Sequence, residues 1–338
     1  MGLANLPNQA SERDRVDPAQ FLTAPRVTIV AGKGGVGKTT TTATLAMAAA
    51  REGLRALIIE VDGKSGLGAL FGAGELGYEE SELWSGTNGG SIRARTLTPD
   101  EALLEYLRDH GLNRVSKRLS ESGALDLVAT ATPGIKDVLI LGKVKQLERA
   151  GAADVVLVDA PAAGHAITFL RSATGLLDAV TVGPIRQQAH EVAELLQDAS
   201  RCQVLLVTLP EETPVNELTE TAYSLEDQVG VKLSPIVVNG ILPKLDGLDL
   251  PVEAAAQAAG VQLDAEDAAE LQAAVDFRRE RSALQAVQLD RLGRELPLEQ
   301  LHLPFLFTSE LGRRHLEGLA DALLDQIRTL DSGIGGDR

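Results

Sequence analysis

The chain has 338 residues, of which 44% are hydrophobic but only 3% aromatic, so one compact α/β domain with an aliphatic core of Leu, Val, Ile and Ala is expected. A formal net charge of -16 disfavours general affinity for nucleic acid or anionic membrane, which needs clustered Lys and Arg. Cys202 is the only cysteine, which excludes an internal disulfide or a multi-cysteine metal site within one chain and fits a reducing cytoplasm; no secretory pattern or bilayer-length apolar run is evident.

Residues 1–24 mix polar types without a period and read as a mobile tail, closed by Pro25. Val27–Ala31 is a short apolar strand, and Lys38–Glu52 is an alanine-rich helix. Between them runs Gly32-Lys33-Gly34-Gly35-Val36-Gly37-Lys38-Thr39-Thr40, the strand, loop and helix order of a nucleoside triphosphate site. Glycines let the backbone curl and aim N–H groups at phosphate oxygens, and the helix start adds its positive end. The spacing predicts that Gly34, Gly35, Val36, Gly37, Lys38, Thr39 and Thr40 cradle ATP. Lys38 would reach the β- and γ-phosphates, and the Thr39 hydroxyl would sit on Mg2+.

Arg55–Val61 is a second apolar strand and delivers Asp62 at its carboxyl end, where open parallel sheets bind ligands. Asp62 is a candidate to orient or deprotonate the attacking water, with a turn-forming Asp before Gly63 as the alternative. Residues 72–90 read as a surface excursion, Pro99–Leu107 and Arg114–Leu119 as short helices, and Leu125–Ala129 as a strand. Apolar residues recur at helical spacing over Ile135–Arg149. Asp154–Val158 is a buried strand that ends in Asp159, an acid placed to hold Mg2+ through water. After it, Pro161 and Gly164 belong to a segment able to change conformation on hydrolysis, and His165 is either part of that switch or a structural loop histidine.

Further strands are expected at Ala179–Val182, Gln203–Leu209 and Pro235–Val238, with helices between them, giving a doubly wound, mostly parallel α/β sheet, and Leu303–Phe307 is a last apolar run. Asn239 ends one strand in an amide able to read an adenine edge, or is a simple turn Asn. A helical stretch follows near 251–294, and a last helix over Ser309–Leu330 has Ser309 as its cap. The expected organisation is a P-loop domain over 25–330 with helical insertions near 72–122 and 251–294, and a flexible end at 331–338.

These motifs together resemble the ArsA/GET3-type ATPases, over about Arg26–Leu330. The loop at 32–40 matches the family's GKGGVGKTT, Pro133-Gly134-Ile135 is similar to its PGIDE segment, Asp159–His165 to its DTAPTGH switch, and Val237-Val238-Asn239 to its adenine-site VVN. The wording at Ala160–His165 and Leu209–Glu217 most resembles actinobacterial ArsA-like ATPases, which occur as paralogue pairs. The resemblance implies a P-loop NTPase fold and an ATP-bridged homodimer, or a heterodimer with an ArsA-like paralogue, that binds a client protein. Lys33 would act across the dimer interface, Asp62 would take the water-activating position, and Pro304 and Phe305 would flank adenine. Nucleic-acid binding and stable membrane insertion are not implied. Departures are equally specific: Asp62-Gly63-Lys64-Ser65 replaces the family's Asp-Pro-Ala-His, and the cysteines of the zinc and arsenite sites are missing. Arsenite pumping is therefore not expected. The alternative is a nucleotide-gated scaffold that binds ATP and a paralogue but hydrolyses poorly.

Overall fold

Runs of β-branched and leucine residues with no polar face can only be satisfied by burial on both sides, and β1 (Val27–Gly32) is buried at every position. In the computed structural model, which describes residues 16–61, 66–122, 134–161 and 163–330, it lies inside an eight-stranded sheet. The other strands are β2 (Arg55–Val61), β3 (Ser81–Ser85), β4 (Ser91–Leu97), β5 (Val155–Asp159), β6 (Cys202–Thr208), β7 (Ile236–Ile241) and β8 (Gln300–Pro304). The order is β3-β4-β2-β5-β1-β6-β7-β8, and every pair is parallel except β3 with β4.

Helices cover both faces. They are α1 (Pro18–Thr23), α2 (Lys38–Arg51), α3 (Leu67–Leu70), α4 (Pro99–Asp109), α5 (Asn113–Ser122), α6 (Ile135–Arg149), α7 (Ala163–Ala179), α8 (Pro184–Gln197), α9 (Glu212–Gln228), α10 (Val252–Ala258), α11 (Ala265–Glu295) and α12 (Arg313–Ile327). Strand side chains alternate between two layers, as a period of two requires. Val27, Ile29, Leu57, Ile59, Val156 and Val158 pack with α6, α7, α8 and α9, whereas Val30, Ala56, Ile58, Leu157 and Val207 pack with α2 and α12. The alanines of α2 let it lie close on the sheet, and all of Thr41–Ala50 is buried. Glu148, near the end of α6, is 3% exposed in its side chain and is held by Arg201 at 2.6 Å, with Arg26 at 3.8 Å.

The structure departs from the sequence reading in several places. Residues 16–24 are not a loose tail: Asp17 caps α1 by accepting from the Ala19 N–H at 3.1 Å, and Leu22 is buried against the α2 layer. Part of the region read as a surface excursion with helical insertions forms β3 and β4, which extend the sheet beyond β2. The strand expected at Ala179–Val182 is absent, because α7 runs through Ala179 and a short connection with Val182 exposed leads to α8. The last strand sits at Gln300–Pro304, and α12 is capped at Gly312 and not at Ser309. Gly164 and His165 have helical backbone in the first turn of α7, so His165 is not a loop residue. Asp62, the Leu125–Ala129 strand, Pro133 and residues 331–338 lie outside the described residues.

Candidate functional site

The carboxyl ends of β1, β5, β6, β7 and β8 share one edge of the sheet, and β1 turns there through residues 33–37 into α2. Gly35 and Gly37 take φ of +87° and +93°, left-handed values that side chains disfavour. At Gly37 the requirement is also spatial: a Cβ there would stand 2.2 Å from Asn239 Nδ2. That amide donates to the Val36 carbonyl at 3.0 Å, so Asn239 of β7 clamps the turn from the neighbouring side of the sheet.

Lys38 opens α2 and its ammonium donates to the Lys33 carbonyl at 3.1 Å. Burial lowers its pKa, an effect opposed by the negative charge of Asp159. The next residue, Thr39, donates from its hydroxyl to Asp159 Oδ2 at 2.7 Å. Parallel pairing of β1 with β5 sets this meeting, since Val30 stands opposite Asp159, the buried last residue of β5. Glu60 of β2 is the lateral neighbour of Asp159 on the other side, is also buried, and accepts a 2.6 Å hydrogen bond from the Thr96 hydroxyl. Pro161 follows two residues after Asp159, and α7 begins with Ala163, Gly164 and His165.

The Lys33 ammonium donates to Glu217 Oε1 of α9 at 2.5 Å, with both side chains roughly two-fifths exposed. At the far side of the edge, Pro304 pairs with Ile241, and the Phe305 N–H donates to the Ile241 carbonyl at 2.7 Å. The Phe305 ring lies by Gly240, one residue after Asn239, and meets Phe307 edge-on at 4.9 Å. Gln285 of α11 fixes this corner, accepting from the Leu242 N–H at 2.9 Å and donating to the Gly240 carbonyl at 3.1 Å.

The structure thus brings Lys33, Lys38, Thr39 and Asp159 together around one turn, with Asn239 on its flank and Pro304 and Phe305 beyond it. Sequence reasoning missed Glu60, Glu217 and Gln285. Glu60 was hidden by its apolar neighbours, while Glu217 is one of several acids on a helix and carried no local signal. Gln285 is a buried polar residue in a stretch that reads as uniformly helical and solvated.

The family described as anion-transporting ATPase matches residues 25–182. The chain is similar to the ATPase BagA of Mycobacterium tuberculosis, with 32% identity over 253 residues, 72% of each chain. An arsenical pump-driving ATPase of Escherichia coli is 26% identical over 263 residues, 70% of this chain and 43% of its own length. The ATPase get3 of Schizosaccharomyces japonicus is 31% identical over 147 residues, 44% of each. With its sheet and phosphate loop accounted for, the chain belongs to the ArsA/GET3-type, anion-transporting ATPase family and is an ATP-binding ATPase.

Proposed function

We propose that the chain is a dimeric switch that closes on ATP and Mg2+, with hydrolysis governing its hold on a client protein in the cytoplasm. The single observation that carries the nucleotide chemistry is the Thr39–Asp159 contact at 2.7 Å, beside the turn that presents Lys38. The Thr39 hydroxyl would supply a hard oxygen to Mg2+ directly and the Asp159 carboxylate would hold the ion through water, with phosphate oxygens completing the shell. Among the described residues no group of three or more His, Cys, Asp and Glu is gathered for a metal, which suits an ion that arrives with the nucleotide. The ion would neutralise charge on the transferring phosphoryl group.

Lys38 and the N–H groups of Gly34–Thr40 would hold the phosphates, Asp62 would orient the attacking water, and Lys33 would reach the nucleotide of a second chain. Asn239, Pro304 and Phe305 occupy the corner in which adenine would stack and hydrogen-bond. Loss of the γ-phosphate would then release the segment from Asp159 through Pro161 to Gly164 and His165, changing the surface offered to a client. No helix among the described residues is long and apolar enough to cross a membrane.

Phosphate release and sedimentation velocity with ATP and Mg2+ test this reading, using wild type, Lys33→Ala and Asp62→Asn. The wild type should hydrolyse ATP and pair; Asp62→Asn should pair but lose about 10²–10⁴-fold in turnover. Lys33→Ala should lose pairing. Turnover in the wild type no faster than in Asp62→Asn would instead favour the scaffold reading, for which the Gly63–Ser65 departure is the support.

A further inference from the structure

Lys33 is not free to reach outward in this structure, because a carboxylate from the chain's own α9 already holds its ammonium. Glu217 stands in the second turn of α9, and that helix is fastened at several points to α11. Glu211 accepts from Arg281 at 3.0 Å, Asn216 accepts from Arg291, and the Tyr223 hydroxyl donates to the Glu295 carbonyl at 2.9 Å. The Glu217 carboxylate is therefore carried on a braced helix, not on a mobile loop. The partly exposed Lys33 side chain can leave by rotation alone, with its backbone carbonyl still engaged with Lys38.

We propose that Glu217 is a positioning residue that parks Lys33 in the separate chain and surrenders it when a second chain's nucleotide offers phosphate oxygens in exchange. This rests on the trans role given to Lys33 above. The carboxylate competes with the partner's phosphates for one ammonium, so it raises the ATP concentration needed for two chains to pair. Because the pair is partly solvent-exposed, the competition is modest, about two- to fivefold in population. A latch of this strength keeps chains separate at low ATP without blocking assembly at high ATP.

The test is the ATP midpoint for pairing, measured by sedimentation velocity and divided by each variant's own ATP affinity at protein concentrations too low to pair. Glu217→Gln should lower this normalised midpoint about two- to fivefold, and Glu217→Asp, which keeps the charge, should return it toward the wild-type value. A helix-packing defect would shift the urea midpoint of unfolding and would not be rescued selectively by Asp. If Lys33→Ala pairs like the wild type, the trans reading itself fails. If Lys33→Ala loses pairing while Glu217→Gln leaves the normalised midpoint unchanged or raises it, the trans reading stands and the latch is overturned.

Discussion

Replacing Gly37 by Ala asks the phosphate loop to accept two separate penalties, and the structure allows each to be valued. At φ of +93° an L side chain costs about 1–2 kcal/mol. The new Cβ also collides with Asn239 Nδ2, so Asn239 must withdraw from the Val36 carbonyl and forfeit a hydrogen bond worth about 1 kcal/mol. Gly37→Ala should therefore cost roughly 2–3 kcal/mol, and Asn239→Ala alone about 1 kcal/mol. In the double variant the hydrogen bond is lost only once and the collision has no partner, so the total should be about 2–3 kcal/mol, less than the sum by about 1 kcal/mol. Urea unfolding without nucleotide measures all four corners of this cycle. Additivity within about 0.5 kcal/mol would show that Asn239 does not clamp the turn, and the reasoning would be refuted.

Arg201→Met should destabilise the fold by about 2–4 kcal/mol in urea unfolding, because it strips the nearest cation from buried Glu148 and leaves only Arg26; Glu148→Gln in the same chain should recover part of that loss. His302 on β8 has its pKa lowered from 6.5 by burial, so the unfolded chain takes up this proton first as pH falls. Stability should be full above about pH 6.5, decline as pH drops toward the folded pKa, and decline less steeply in His302→Gln when unfolding is followed across that range. Cys202 is fully buried and its thiol is pushed up to about 12, so a maleimide at pH 8 should label the unfolded chain quickly and the folded chain only as fast as it opens.

The parallel heart of the sheet was legible because β1, β2, β5 and β6 are buried on both faces and so carry nearly unbroken apolar runs. β3 and β4 were not, because their sequences look solvated. Arg93 hides its charge on Glu80 at 2.5 Å and on the Ala152 carbonyl, and Arg95 lies 4.5 Å over the Tyr78 ring. The opposite error at Ala179–Val182 has the same root: apolar residues ended a helix and no strand neighbour was available to pair them. Ser309 was a reasonable cap by type, yet Gly312 takes the position and its N–H is met by His315 Nδ1 at 3.2 Å. For the site, Lys38, Thr39 and Asp159 followed from spacing and strand ends, whereas the Lys33–Glu217 and Val36–Asn239 contacts join residues about two hundred positions apart and leave no local trace.

The central place of β1 in the strand order also dictates a timetable. Its two neighbours are β5 and β6, so one edge of this early strand stays bare until residue 159 has followed it and the other until residue 208. Thr39 waits 120 residues for Asp159, and Val36 waits 203 for Asn239. Contacts of such separation form late and slowly, with apolar strands exposed in the interval. If ATP binds in the proposed corner, the cradle that it would stabilise is incomplete before residue 239 is in place. On that reading nucleotide would lock the finished sheet without guiding its early assembly.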